Sequence, residues 1–513
     1  MKNQKLVLTI DFGTQSVRAL IINNVGETLA MEKLAYDKPY FSPKPGYAEQ
    51  DPEYYWEQMK TVTKTLKEKH GQLLKNVSAL GITTFRDSAI LLDENLKPLR
   101  PMILWLDQRQ AALKKDVSLI KKIAFAITGM TETIILNRKR TPGIWIQENE
   151  PEIWVRTKYY INFSSYIMLK ITGELVDSVA NQTGHFPVNF RKRRWHSKNA
   201  LKNIFDIPYH MLCPIKQPGE VLGIISEEVS EETGIPADLK LYATGTDKGS
   251  ETIGTGCTSA KMASISYGTA SSIEVTNKKY HEPETFLPAY PAPIKDFYQM
   301  EVQVYRGYWM VSWFIKEFAN NENLEASIVK MATEELLNEK MMEIPPGSEG
   351  LVLQPYWGPG LKRPLAKGAI VGFSDYHTRH HIYRAIIEGI AFALLEGLKG
   401  IENKQHQKIE KIRVSGGGSQ SDAICQITAD IFGRTVERIQ TYETASLGTA
   451  IAVFLSLGEF NSIEEAIKAM VHPAKSFQPN EENHAKYNYL YKKAYLKIYP
   501  RLKHIYKKIK KFN

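Results

Sequence analysis

Leu6-Val-Leu-Thr-Ile10, running into Asp11-Phe-Gly-Thr-Gln-Ser16 and then Val17-Arg-Ala-Leu-Ile-Ile22, is the stretch on which the fold turns. Its first five residues are aliphatic and β-branched and predict a buried strand; Val17 to Ile22 predicts a second, with a Gly-Thr turn between them. The construction returns downstream as Met262-Ala-Ser-Ile-Ser266, Tyr267-Gly-Thr-Ala-Ser271 and Ser272-Ile-Glu-Val275. Gly13 and Gly268 lie 255 residues apart in a chain of 513, which is half its length. One such hairpin carries little information. Two at that spacing predict two related domains facing each other.

Outward from these hairpins, helical and strand patterns alternate. Pro52 to Glu68 predicts a helix with Tyr55, Met59, Val62 and Leu66 on one side, and Val77 to Phe85 and Ile90 to Leu92 predict strands with a turn at Asp93-Glu-Asn95. A helix is expected from Tyr160 to Ile171, stopped by Gly173, and a strongly apolar one from His381 to Leu398. Such mixing predicts α/β layers. The main boundary is expected at the Gly254–Gly256 segment, giving domains 1–254 and 255–513 packed across a cleft, since no long Pro- or Ser-rich linker separates them.

Composition limits the alternatives. With 43% hydrophobic and 24% charged residues the chain is an ordinary folded protein rather than a disordered tail, a fibre or a disulfide scaffold. Cys213, Cys257 and Cys425 are dispersed and odd in number, which predicts neither a disulfide framework nor a zinc site. The opening apolar run is too short for a signal peptide, and no stretch approaches 18 uninterrupted apolar residues, so a cytoplasmic protein with no membrane association is expected. The net charge of +10 is local: Glu481 to Asn513 holds ten Lys or Arg against two Glu, leaving only +2 for the rest. Tyr487, Tyr491, Tyr495, Ile498, Leu502, Ile505 and Ile509 recur there at helical spacing, predicting a terminal helix that packs this stripe on the body with its lysines in solvent, rather than a nucleic-acid arm.

Several residues can carry chemistry. Tight glycine turns present backbone N–H groups to phosphate oxygens, and the Thr14 and Thr269 hydroxyls add donors. Asp11, ending the first strand, is placed to hold Mg²⁺, usually through water. Gly416-Gly-Gly418 lies between the strand Ile412 to Val414 and a helix expected from Ser421 to Phe432; strand, glycine loop, helix suits a nucleotide, although no Walker A pattern is present. Gly245-Thr246-Asp247 follows the predicted strand Leu239 to Ala243, and strand ends facing a cleft are where α/β proteins place reactive groups. Arg86-Asp87 ends the Val77 to Phe85 strand, where a guanidinium and a carboxylate can serve a polyhydroxy ligand, and Trp105 can stack on its apolar face. The histidines at 377–381 lack ligand spacing and are read as structural.

These pieces, in this order, resemble the FGGY family of carbohydrate kinases over nearly the whole chain, from Leu6 to about Ile509. The resemblance is carried by Asp11-Phe-Gly-Thr-Gln-Ser16, Gly46-Tyr-Ala-Glu-Gln-Asp-Pro52, Trp105-Leu-Asp-Gln-Arg109, Gly245-Thr-Asp247 and Ser266-Tyr-Gly-Thr269. It continues through Gly368-Ala-Ile-Val-Gly372, Arg384-Ala-Ile-Ile-Glu-Gly389, Ser415-Gly-Gly-Gly-Ser419 and Glu443-Thr-Ala-Ser-Leu-Gly448, and closes with Tyr499-Pro500.

The resemblance implies a two-domain α/β, actin-like (ribonuclease-H-like) fold, duplicated, with a cleft between the domains. It implies ATP-dependent phosphorylation of a hydroxyl of a small sugar or polyol, with Mg²⁺ as cofactor. Asp247 matches the catalytic base and also touches the acceptor; Arg86, Asp87 and Trp105 fall where family members line the sugar pocket. Asp11 matches the carboxylate that organises Mg²⁺. Gly13, Thr14, Gln15 and Arg18 match the first phosphate loop, Gly268 and Thr269 the second, and Gly417, Gly418 and Ser421 the adenosine site. A homodimer is common in the family. The Gln-Met-His-Gly pocket signature of many xylulose and gluconate kinases is absent: Thr84-Phe-Arg-Asp87 stands there, more like the Arg-acid pair of glycerol kinases. Lys248 and Glu251 also depart from the small or neutral residues that commonly follow the base, and mutual pairing is the favoured reading of the two. The alternatives are a kinase of a sugar acid such as gluconate or of xylulose, with Arg86 or Lys248 on an aldonate carboxylate, and a non-metabolic actin-like ATPase scaffold.

Overall fold

The computed structural model describes residues 5–509 except 199, 285, 286, 359, 361 and 362. Lys510 and Lys511 of the basic tail lie outside the described residues.

Two sheets organise the molecule. In the first, Leu6–Phe12 pairs antiparallel with Ser16–Asn23, which pairs antiparallel with Thr28–Ala35; on its other side Leu6–Phe12 runs parallel to Val77–Thr84, beyond which lies parallel Lys240–Tyr242. In the second, Met262–Tyr267 pairs antiparallel with Ser271–Asn277, which pairs with Tyr298–Val304; its other neighbour is parallel Lys411–Ser415, then parallel Thr435–Ile439. Counting only these five strands, out of six in the first sheet and seven in the second, both read third–second–first–fourth–fifth. The duplication expected from the hairpins therefore extends to these five central strands, which is the actin-like, ribonuclease-H-like arrangement. Each strand of the first hairpin is almost wholly buried, as its unbroken aliphatic sequence requires.

Among the described residues three large buried clusters, and a small fourth of Phe125, Ile134 and Ile204, fill the molecule. One belongs to the N-terminal half and one to the C-terminal half, while the third joins Val7, Leu20 and Ala79 to Leu447, Ile451 and Val453. The joining element is the helix Thr444–Ser456, which packs on the first sheet and against the helix Asp247–Gly254. Glycine makes that crossing: a Cβ on Gly254 would lie 1.8 Å from the Thr444 carbonyl oxygen, and one on Gly448 would lie 1.8 Å from that of Ser250. On the strand beneath, a Cβ on Gly81 would meet Val453 and Thr449 at 2.6 and 2.7 Å.

Local differences from the sequence reading have physical causes. The helix from Pro52 continues to Leu74, capped by Asp51, with Tyr55, Met59, Val62 and Leu66 buried as expected. Tyr160 to Asn162 is strand, not helix: Tyr159–Asn162 pairs with Ala89–Leu92, and the Asn162 side chain then caps the helix Phe163–Thr172, which ends at Gly173 with φ of 74°. Two adjacent tyrosines and an isoleucine favour a pleated surface, and asparagine favours a cap. At the C-terminus the stripe packs through Tyr487, Tyr491 and Tyr495, but Ile505 and Ile509 stand exposed and Tyr506 is buried instead. A π-turn at Tyr491–Tyr495 adds a residue to one turn and rotates everything after it. No helix among the described residues is long and apolar enough to cross a membrane.

Candidate active site

Asp247 begins the helix Asp247–Gly254 directly after the strand Lys240–Tyr242, with Thr246 as its cap. It opens into an interlobe cleft of about 1050 Å³ whose wall also includes Thr14, Arg86, Asp87, Trp105 and Thr269. Six sequence-predicted residues, from both hairpins and both lobes, thus converge on one cavity. Burial pushes the Asp247 carboxyl above its ordinary value, while Arg86, Lys248 and the backbone N–H of Lys248, 2.7 Å from Oδ1, pull it back.

Asp11, at the end of the first strand, is buried and pushed up to about 7, chiefly by burial. Arg18 lowers it; the carboxylates of Asp247, Glu443 and Glu251 raise it further. Arg18 does not reach freely into the cleft, because its Nη1 lies 3.0 Å from both Asp11 Oδ2 and Glu443 Oε2. Asp11 Oδ1 is buried without a hydrogen-bond partner. Among the described residues no three His, Cys, Asp or Glu side chains form a metal cage. One orphaned carboxylate oxygen amid excess negative charge fits a Mg²⁺ ion that keeps most of its water, as expected for this cation. In the two turns, the Gly13 N–H donates to the Ser16 carbonyl and the Gly268 carbonyl accepts from Tyr308 N–H, fixing both hairpins; Thr14 is half-buried, while Gln15 and Thr269 are exposed.

Arg86 and Asp87 do not pair with each other. Arg86 reaches across the cleft and donates twice to Glu301, on strand Tyr298–Val304 of the other lobe, at 2.6 and 2.8 Å. Asp87, at φ of 57°, accepts from the backbone N–H of His185 at 2.8 Å and lies 2.7 Å from its Nδ1. The fit is close: a Cβ on Gly184 would lie 2.2 Å from Asp87 Cγ. Trp105 lines the cleft with its indole Nε1 buried and unpartnered. Its loop is held by Asp107, which accepts from Ala48 N–H at 2.6 Å and pairs with Arg109; Arg109 also binds Glu49 and lies over the rings of Tyr47 and Trp145. The segments Gly46–Pro52 and Trp105–Arg109 are thus one structural unit that presents Trp105.

Lys248 pairs with Glu251 at 2.8 Å, as favoured from sequence, and also reaches Ser266 Oγ at 2.5 Å, while Glu251 accepts from Ser415. Gly417, Gly418 and Ser421 stand outside the cleft wall, against the base of the second hairpin: Cβ atoms on Gly416 and Gly418 would lie 2.8 and 2.9 Å from Tyr267. Gly417 faces open space, and Ser421 Oγ caps the helix Asp422–Phe432. Glu301 and His185 are candidate-site residues that sequence reasoning missed: each meets its partner across at least 98 residues of chain, so no local pattern signals it. Glu443 stood in a quoted motif, but its pairing with Arg18 was not foreseen. The 377–381 histidines act structurally: His381 Nδ1 closes a capping box with Thr378, and His380 contacts Glu322.

Two ribonuclease-H-like lobes facing each other across a cleft, with the Asp247 carboxyl in its wall, define a fold of the actin-like ATPase class. The chain belongs to the FGGY family of carbohydrate kinases, whose N-terminal domain matches residues 6–254 and whose C-terminal domain matches residues 263–457. A xylulose kinase of Lactococcus lactis subsp. lactis is 27% identical over 99% of both chains. Among solved structures, ligand-bound xylulose kinase from Lactobacillus acidophilus superposes with a TM-score of 0.82 at 22% identity, covering 98% of this chain and all of that one. Gluconate kinase from the same organism gives 0.81 at 22% identity, over 99% of this chain and all of that one. The protein is an ATP-dependent kinase that phosphorylates a hydroxyl of a small sugar or polyol.

Proposed function

We propose that Asp247 is the general base of this phosphotransfer and that lobes 1–254 and 255–513 divide the work of holding its two substrates. The acceptor oxygen attacks the γ-phosphorus of ATP: one O–P bond forms, the bond to the β,γ-bridging oxygen breaks, and ADP leaves with that electron pair. The proton of the acceptor hydroxyl passes to Asp247. The observation that carries this reading is the position of Asp247, at the head of a helix, in the cavity that Thr14 and Thr269 enter from opposite lobes. A carboxyl raised by burial is a stronger base than one in water, and orientation adds to it; general-base effects of roughly 10²–10⁴-fold are ordinary.

The hairpins at Gly13, Thr14 and Gln15 and at Gly268 and Thr269 cradle the phosphates, and Gly417, Gly418 and Ser421 flank the adenosine. Asp11 would hold Mg²⁺, its carboxylate fixed by Arg18, which Glu443 holds in turn. When bound, Mg²⁺ neutralises charge on the transferring phosphates. Trp105 offers its indole N–H and Asp87 its carboxylate to acceptor hydroxyls. Arg86, committed to Glu301, acts by joining the lobes and by its field on Asp247. The three buried free cysteines suit the cytoplasm, where thiols stay reduced.

An ADP-coupled assay over polyols, ketoses and aldonates tests the assignment. Asp247→Asn is expected to keep ATP affinity and lose about 10²-fold or more in kcat. Near-normal turnover in that variant would remove Asp247 from the reaction.

A further inference from the structure

The cleft wall contains a cation that the protein leaves without a counter-charge. Arg140 immediately follows the helix Thr131–Lys139; its backbone N–H caps that helix, and its half-buried side chain lines the cleft. Among the described residues that side chain makes no hydrogen bond, ion pair or ring contact. Its basic neighbours in the wall are committed elsewhere: Arg86 to Glu301, Arg109 to Asp107 and Glu49, Lys248 to Glu251, and Arg363 to Glu396. Arg306 lies over the Trp309 ring two residues before Tyr308, whose N–H bonds the Gly268 carbonyl, so it belongs to the phosphate end. Arg191 and Lys192 are exposed and solvated.

Arg140 belongs to the acceptor end: the carbonyl of the preceding Lys139 accepts from the Ala111 N–H at 2.7 Å, which ties it to the loop presenting Trp105, and it shares the cleft wall with Trp105, Asp87 and Tyr305. Its charge acts on the Tyr305 hydroxyl, which also feels Glu301, Arg86 and Asp87. The residues expected to read hydroxyls and this unpaired guanidinium therefore share one neighbourhood. A half-buried guanidinium has lost part of its hydration, and a carboxylate offsets that loss far better than a neutral hydroxyl does. Its planar fork also matches a carboxylate with two parallel N–H···O bonds.

We propose that the preferred acceptor is a sugar acid whose carboxylate is bound by Arg140, with the phosphorylated hydroxyl held at Asp247. This rests on the kinase reading above and adds the acceptor's charge. It also moves the carboxylate contact away from Arg86 and Lys248, which are occupied.

The test compares acceptors of equal carbon number and stereochemistry that differ at one end: an aldonate, the matching alditol, and the matching sugar phosphate. The wild-type protein is expected to favour the aldonate over the alditol by about tenfold or more in kcat/KM, roughly 1.4 kcal/mol. Arg140→Gln should abolish most of that preference by raising KM for the aldonate, with KM for ATP changing less than about twofold; Arg140→Lys should retain an intermediate preference. Because the side chain has no partner among the described residues, both variants should melt like the wild type. Preference for the alditol or the sugar phosphate in the wild type would overturn the proposal. So would equal losses on aldonate and alditol in Arg140→Gln. Absence of turnover on every acceptor would instead overturn the kinase reading, and the proposal with it.

Discussion

Asp11 and Asp247 are acids a short distance apart whose environments give them different tasks. As the proposed base, Asp247 must be ionised to accept a proton, so the acid limb of kcat/KM should lie above the ordinary aspartate value near 4, because burial raises it. A limb at or below about 4 in the pH–rate profile would show that another group limits the rate. Asp11, raised to about 7, affects stability. Between about pH 4 and pH 7 the folded protein holds a proton that the unfolded chain has lost, so stability contributed by this group is greatest below pH 4 and falls as pH rises through that window. On the proposed Mg²⁺ role of Asp11, the loss, up to about 4 kcal/mol, is what a bound cation would recover by stabilising the ionised form. Thermal melts without metal should fall from pH 5 to pH 7.5 in the wild type and less steeply in Asp11→Asn. Adding Mg²⁺ with ADP should raise the wild-type melting temperature more than that of the variant. Parallel melting curves for the two proteins would detach Asp11 from the cation.

At the scale of elements, the crossing of the helices Asp247–Gly254 and Thr444–Ser456 holds the Asp247 carboxyl in register with the first sheet. The atoms that a Cβ would strike there are backbone, which cannot rotate aside. Gly448→Ala and Gly254→Ala should each therefore cost more than the 1–3 kcal/mol usual for overpacking and lower kcat, because the helix carrying Asp247 must move. Urea unfolding measures the first effect, and wild-type stability in both variants would refute the close crossing. The sequence made the hairpins, the long helix from Pro52 and Asp247 at a strand end legible, because each is written in consecutive residues or a fixed period. Gly448 stood in a recognisable motif, but its function lies in the Ser250 carbonyl almost 200 residues away. The same distance hid Glu301 behind Arg86. Tyr160 to Asn162 was misread because an apolar run entering a helix has no period of its own. The exposed Ile505 and Ile509 follow both a π-turn at Tyr491–Tyr495, which shifts the phase with no Gly or Pro in it, and Pro500 inside the next helix.

For the whole molecule, two copies of one sheet order leave the lobes facing each other, and Arg86–Glu301 is a charged strap across the gap. Glu301 lies opposite Glu274 in the register of its sheet, and Glu274 is pushed up to about 8 by burial and then by Glu301. Glu274 is thereby held protonated near neutral pH, with Lys248 also acting on it, and Arg86 is the cation that compensates the Glu301 carboxylate. Removing one partner of a buried pair leaves the other uncompensated, at a cost of about 3–5 kcal/mol, whereas replacing both by apolar groups of similar volume is often neutral. Arg86→Met should accordingly destabilise strongly, since Glu301 then faces Glu274 without its cation, and Arg86→Met with Glu301→Leu should recover most of that stability. The double variant should still bind acceptor poorly, because the closed cleft would no longer be selected and Asp247 would lose the nearby positive charge that helps keep it ionised. Small-angle scattering with ADP and acceptor should report a larger radius of gyration for the double variant than for the wild type. If the double variant closed like the wild type and retained its acceptor KM, the strap would be a local ion pair with no part in bringing the lobes together.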